Sequence, residues 1–186
     1  MTDFSPNIGK FLRRLPLVLA TLCGAMGQLS GPTDYQVKAA YLSNFGRFVD
    51  WSRPSSTDRQ NFTICVLGED PFGKALDTAV AGESIRRVPL VATRISRVSE
   101  AEGCRIVFVS ASLAPQLGGI LAALRDNGAL TVSDIPQFAA RGGMIELLLV
   151  GKKVRFEINV GATDKAGLTL SSELLKLAVT VRKAAR

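Results

Sequence analysis

The chain contains no histidine, so neither a Ser-His-Asp nor a Cys-His nucleophile can be assembled from it, and the commonest catalytic zinc ligand is missing. It reads as a non-enzyme with no metal and no cofactor. The acidic pairs that remain, Glu69 with Asp70 and Glu100 with Glu102, stand in turn-like segments. Helix caps and solvated charge account for them better than paired acid and base catalysis. Asp134, after Ser133 at a strand end, is expected to close the turn before Pro136, although strand ends are also where α/β folds place ligands.

Other absences exclude other classes. The turn Gly68-Glu69-Asp70-Pro71-Phe72-Gly73 is not followed by Gly-Lys-Ser/Thr, lacks the G-x-G-x-x-G spacing, and puts two acids where an anion would sit. It is therefore no phosphate cradle but a tight turn leading into a helix. Lysines and arginines form no run, and aromatics, 6% of the chain, are not interleaved with them. No nucleic-acid partner is expected. Past the N-terminal region no apolar run is long enough to span a bilayer, the best, Met144 to Val150, being interrupted by Glu146. The mature domain is expected to be soluble.

The N-terminus has the three parts of a secretory signal: basic residues between Lys10 and Arg14, an apolar stretch from Leu15 to Gly27, and small residues at Ala25-Met26-Gly27. The stretch is roughly a dozen residues, short of the ~20 that span a membrane, so cleavage near residues 27–31 and export are expected. Removal of Asp3, Lys10, Arg13 and Arg14 lowers the formal charge from +7 to +5. At 186 residues and 47% apolar, the chain suits a signal peptide over 1–30 and one domain over 31–186. Cys23 leaves with the signal. Cys65 and Cys104 remain as an even pair, which an oxidising compartment invites to form a disulfide; two separate buried thiols are the alternative.

A helix is expected from Thr33 or Asp34 through Trp51, burying Val37, Ala40, Tyr41, Phe45, Phe48 and Val49 at helical spacing. Loop residues 53–60 separate it from a strand over Phe62 to Leu67, and a helix follows over Phe72 to Val80 with Asp70 as its cap. Val88 to Ile95, Arg105 to Ser110 and Leu130 to Val132 read as strands, with a helix over Pro115 to Asp126 between the last two. This alternation predicts an α/β fold with a mostly parallel central sheet and flanking helices.

A C-terminal β-hairpin plus helix completes it. Met144 to Val150 and Lys153 to Val160 flank a Gly151-Lys152 turn, and a helix capped by Ser171 or Ser172 buries Leu174, Leu175, Ala178 and Val179. In the second hairpin strand Arg155, Glu157 and Asn159 alternate with Val154, Phe156 and Ile158, with Ile145 as an apolar neighbour on the partner strand. Such a mixed patch suits a protein interface. A solvated sheet face with a cross-strand ion pair explains the same residues.

Four stretches in one order carry a resemblance. They are K-A-A-Y-L-S-N-F at Lys38 to Phe45 followed by Trp51; I-C-V-L-G-E-D-P-F-G at Ile64 to Gly73; C-R-I-V-F-V-S at Cys104 to Ser110; and the block Leu130 to Ala178. The last contains L-T-V-S-D, G-G-M-I, K-V-R-F-E-I-N and L-S-S-E-L-L-K-L-A. From about Tyr35 to Val181 the chain resembles the YfiR-like family of periplasmic repressors of membrane-bound diguanylate cyclases. The resemblance implies a homodimeric negative regulator of cyclic-di-GMP synthesis and biofilm formation. Its partners would be the periplasmic sensor domain of an inner-membrane cyclase and an outer-membrane lipoprotein antagonist.

The resemblance also implies a disulfide between Cys65 and Cys104. Relatives with a second cysteine pair carry it near the glycine-rich turn, but residues Phe138 to Glu146 contain no cysteine here, which leaves the first pair a structural role. By the same resemblance Glu157 matches a family position linked to repression and Ile145 lies at the corresponding apolar position, which makes both interface candidates, with Arg155, Phe156 and Asn159 on the same matching strand. A periplasmic small-molecule sensor or carrier, binding its ligand at the strand ends, is the alternative.

Overall fold

The computed structural model describes residues 32–51 and 60–183. The expected signal peptide with its cleavage region, Cys23, and all but the last residue of the 53–60 loop lie outside the described residues.

Helix α1 (Asp34–Phe45) starts in a capping box: the Thr33 hydroxyl accepts from the Gln36 amide, and the Gln36 side chain accepts from the Thr33 amide. It ends six residues earlier than the periodicity predicts. A 3₁₀ turn (Gly46–Phe48) and strand β1 (Val49–Trp51) follow. At Gly46 a Cβ would meet the Ile85 and Phe62 side chains at 2.5–2.6 Å, so the chain leaves the helix where only glycine permits close packing. The buried face is also rotated from the expected one. Lys38, Ala39, Leu42, Ser43 and Phe45 are buried, whereas Ala40 is exposed and Val37 and Tyr41 are half-buried. A lysine takes a core position because its charge is met there, as shown below.

Strand β2 (Phe62–Leu67) leads to α2 (Lys74–Val80), then β3 (Ser84–Ile85) and β4 (Val88–Ile95). Helix α2 begins later than expected, because the Asp70 carboxylate accepts from the Phe72 amide at 2.8 Å and from Arg94 Nε at 2.9 Å. Asp70 thus ties the turn to β4 instead of capping the helix. Strand β5 (Cys104–Val109) runs into a 3₁₀ stretch (Ala111–Gln116) containing Pro115, so α3 covers only Leu117–Leu124. After β6 (Leu130–Ser133) comes the hairpin of β7 (Ile145–Val150) and β8 (Lys153–Asn159), with Gly151 at φ +62° in its turn.

The last stretch departs most from expectation. Helix α4 (Val160–Lys165) and strand β9 (Leu168–Leu170) were not anticipated, and β9 pairs antiparallel with β1. Ser171 caps α5 (Ser172–Leu177), which buries Leu174 fully and Leu175 partly. The helix then stops. The Val179 amide donates to the Phe156 carbonyl at 2.9 Å, and β10 (Thr180–Arg182) runs parallel to β8, in keeping with the β-branched Val179, Thr180 and Val181. Val179 is consequently exposed instead of buried.

The main sheet has the order β10-β8-β7-β6-β5-β2-β4-β3. All its pairings are parallel except the β7–β8 and β3–β4 hairpins. The fold is therefore α/β with a mostly parallel central sheet. One face carries α1 and α2, with Leu42, Phe45 and Leu76 packed over Ile64, Phe108 and Phe156. The other carries α3, with Leu117 and Leu124 over Leu67, Val107 and Val109. Both faces of β2 and β5 are covered, which is why those strands read as continuous apolar runs. Cys65 and Cys104 are joined by a disulfide between these neighbouring strands, Cα–Cα 5.9 Å.

Candidate partner-binding face

Strand β8 projects Arg155, Glu157 and Asn159 to one side and Val154, Phe156 and Ile158 to the core. Of the polar three, Arg155 is exposed and makes no hydrogen bond or ion pair among the described residues. Glu157 is half-buried, and one of its oxygens accepts from Arg182 Nε at 3.1 Å and Nη2 at 2.9 Å. Asn159 is committed to the fold: its Nδ2 donates to the Ala139 carbonyl at 2.8 Å, and its Oδ1 accepts from the Ala162 amide at 3.0 Å to cap α4.

Ile145 and Phe156 do not join that face. They are 0% and 1% exposed, and the Phe156 ring meets Tyr41 and Phe45 edge-on at 5.4 Å each. The hairpin register gives the reason. Ile145 lies opposite Ile158, and the residue opposite Glu157 is Glu146, so the pleat sends Ile145 inward. The expectation that Ile145 presents an apolar neighbour beside Glu157 is therefore corrected.

Two glutamates facing each other across a hairpin would repel, and each finds its own counterweight. Glu146, 9% exposed, accepts from the amides of Gln137 and Ala139 at 2.9 and 3.1 Å, and thereby holds Gln137 at φ +62°. Glu157 has the Arg182 guanidinium. Neither partner was legible in the sequence, because the register and the β10 pairing decide both.

Apolar surface gathers at the same end of the sheet. Leu149 and Val150 at the hairpin tip, Leu177 on α5, and Val179 and Val181 around β10 are the large exposed hydrophobics among the described residues, between 37% and 63% exposed. Among the described residues strand β10 is also the outermost strand, with one ladder unpaired. Apolar residues beside a charged, half-buried row on a free sheet edge form the kind of surface that protein contacts use.

At the carboxyl ends of the parallel strands lies a different cluster. Asp134 Oδ2 accepts from Lys38 Nζ at 2.6 Å and from the Tyr35 hydroxyl at 2.9 Å, and the Lys38 ammonium sits 4.3 Å from the Tyr35 ring centroid. Both ion-pair side chains are more than nine-tenths buried, and Asp134 Oδ1 has no hydrogen-bond partner among the described residues. Burial, together with the bond to Asp134 and its charge, pushes the Tyr35 phenol up to about 12. Asp134 thus fastens α1 to the end of β6 instead of merely closing its own turn. A lysine among apolar helix positions was the available signal, but its partner stands 96 residues away.

A family model described as DUF4154, YfiR/HmsC-like, matches residues 35–179. No curated protein matches the chain. Among solved structures, it is similar to a conserved domain protein from Vibrio cholerae O1 biovar El Tor, at 14% identity and a TM-score of 0.50. That match covers 64% of this chain and 54% of the other. It is also similar to an ABC domain from Streptococcus pneumoniae in complex with L-Trp, at 11% identity and a TM-score of 0.54, covering 77% of this chain and 60% of the other. At these identities the two structures speak to the fold alone. Among the described residues no helix is long and apolar enough to cross a membrane.

Proposed function

Because the chain belongs to the YfiR/HmsC-like family, a regulatory, non-catalytic family whose members act with partner proteins, we propose that it is a periplasmic repressor of an inner-membrane diguanylate cyclase. It binds the cyclase's periplasmic sensor domain, holds it inactive, and so lowers cyclic-di-GMP synthesis and biofilm formation. An outer-membrane lipoprotein relieves the repression by sequestering the repressor, which acts as a homodimer after its signal peptide is removed.

The observation that carries this reading is the edge of the sheet where the Glu157–Arg182 pair and exposed Arg155 adjoin the apolar residues of the hairpin tip and β10. Glu157 and Arg155 meet the partner directly, and Asn159 fixes the end of the strand. Ile145 and Phe156 contribute from the core by holding the pleat that presents them. No chemistry is needed. A repressor that prefers the inactive sensor shifts the equilibrium by about 1.4 kcal/mol for each tenfold difference in affinity.

The test is cellular cyclic-di-GMP in a strain lacking this gene, beside one that also lacks the candidate membrane cyclase. A rise in the first that vanishes in the second is expected. No rise, with both proteins present in the parent strain, would remove the repressor reading.

A further inference from the structure

On the sheet face that bears α3, the eight-residue helix does not reach the β8 and β10 end, and a groove of about 850 Å³ opens there. Its lining is mixed: Leu121 and Ala122 of α3, Ala140 and Ala162 supply accessible apolar surface beside Thr131 and Asn159. Five cations line it: Arg125 past the end of α3, Arg141 in the glycine-rich turn, Lys165 at the end of α4, and Arg182 and Lys183 at the C-terminal strand. Among the described residues no aspartate or glutamate does. Asp126 and Asp164 are chain neighbours of Arg125 and Lys165 but do not line the groove.

Positive charge from four separate elements thus converges on one concavity. Arg125, Lys165 and Lys183 have no ion-pair partner among the described residues, and Arg141 makes only a 3.4 Å hydrogen bond to the Ala114 carbonyl. Only Arg182 has a counter-charge, in Glu157. A concave, one-signed surface focuses its field and attracts the opposite charge. The volume lies within the range of small-molecule sites, and guanidinium forks suit phosphate or carboxylate.

We propose that this groove binds a small organic anion, a phosphate or carboxylate head carried on an apolar body. The head meets the arginines and lysines of the rim, and the body lies against Leu121, Ala122, Ala140 and Ala162. The site is away from the carboxyl ends of the parallel strands, where α/β folds commonly place ligands. The anion also competes with Glu157 for the Arg182 guanidinium, so occupancy alters the charge of the proposed partner-binding face. The binding stands independently of the repressor reading, and only this last consequence rests on it.

Calorimetry and thermal shift on the purified protein, in low salt and a buffer free of phosphate, test the site with three probes: phenyl phosphate, inorganic phosphate and phenol. Phenyl phosphate is expected to saturate one site per chain and raise Tm, with inorganic phosphate at least about tenfold weaker and phenol silent. The exposed pair Arg141→Glu and Lys165→Glu should weaken phenyl phosphate at least about tenfold without lowering the Tm of the free protein, and Glu157→Gln should tighten it by freeing Arg182. Absence of binding at about 10 mM phenyl phosphate overturns the site. So does unchanged affinity in the double variant. Equal affinity for inorganic phosphate overturns the role of the apolar lining, and weaker binding by Glu157→Gln overturns the competition. None of these measurements involves a cyclase, so the groove and the repressor reading fail separately.

Discussion

Two of the long-range ion pairs in this molecule have opposite characters. Lys38–Asp134 joins α1 to the end of β6 with side chains 9% and 8% exposed, close to strands that a disulfide also binds together. Arg182–Glu157 joins β10 to β8 with side chains 44% and 17% exposed, on the sheet edge where apolar residues meet solvent. A charge that has surrendered its water depends on its partner, whereas a hydrated one can exchange partners at little cost. The first region is built to stay assembled, and the second can exchange its charge partners.

Breaking the buried pair should have the largest effect. Asp134→Ala leaves the Lys38 ammonium buried without a counter-charge and should cost about 3–5 kcal/mol in urea unfolding. A loss below about 1 kcal/mol would mean that the lysine escapes to water and that the region is looser than described. Replacing Cys65 and Cys104 with alanine should destabilise the oxidised protein by about 4 kcal/mol, the loop-entropy value for a separation of 39 residues. Reductant should then no longer affect the variant's melting temperature, while it lowers that of the parent.

At the other end, Glu157→Lys sets a second cation beside Arg182. Because that pair is partly hydrated, the stability change should stay near about 1 kcal/mol. Affinity for the cyclase sensor domain should nevertheless fall by at least about tenfold. Retained affinity would remove Glu157 from the interface. Large destabilisation would show that the two pairs are alike after all.

The smallest effect belongs to Tyr35→Phe. The folded phenol holds its proton up to about pH 12 against an ordinary value of 10.0. The folded state therefore binds the proton more strongly, its contribution is fully present below pH 10, and stability declines as pH rises from about 10 toward 12. The phenylalanine variant should lose that component of the alkaline decline in denaturant melts and keep the rest.

Local chemistry was enough for the centre of the fold. Phe62 to Leu67 and the β5 run announced strands covered on both faces, because continuous β-branched and apolar residues have few other uses. Gly151 announced the hairpin, and the alternation from Val154 to Asn159 put Arg155, Glu157 and Asn159 together. The short elements β1, β9 and β10 were not legible, since three residues carry little propensity and form strands only through distant partners, Val49 with Leu170 and Val181 with Ile158.

The α/β class, the even cysteine pair and the polar face of β8 were set by residue type and nearest neighbours, and four matching stretches in one order carried the family. Only tertiary structure decided that Ile145 faces the core, that Glu146 lies opposite Glu157, that Asp134 holds Lys38, and that five cations from four elements ring one groove. Those relations depend on strand register and on chain segments that are far apart until the sheet closes. No local pattern encodes them, because sequence proximity sets which residues share a face but not which face they meet.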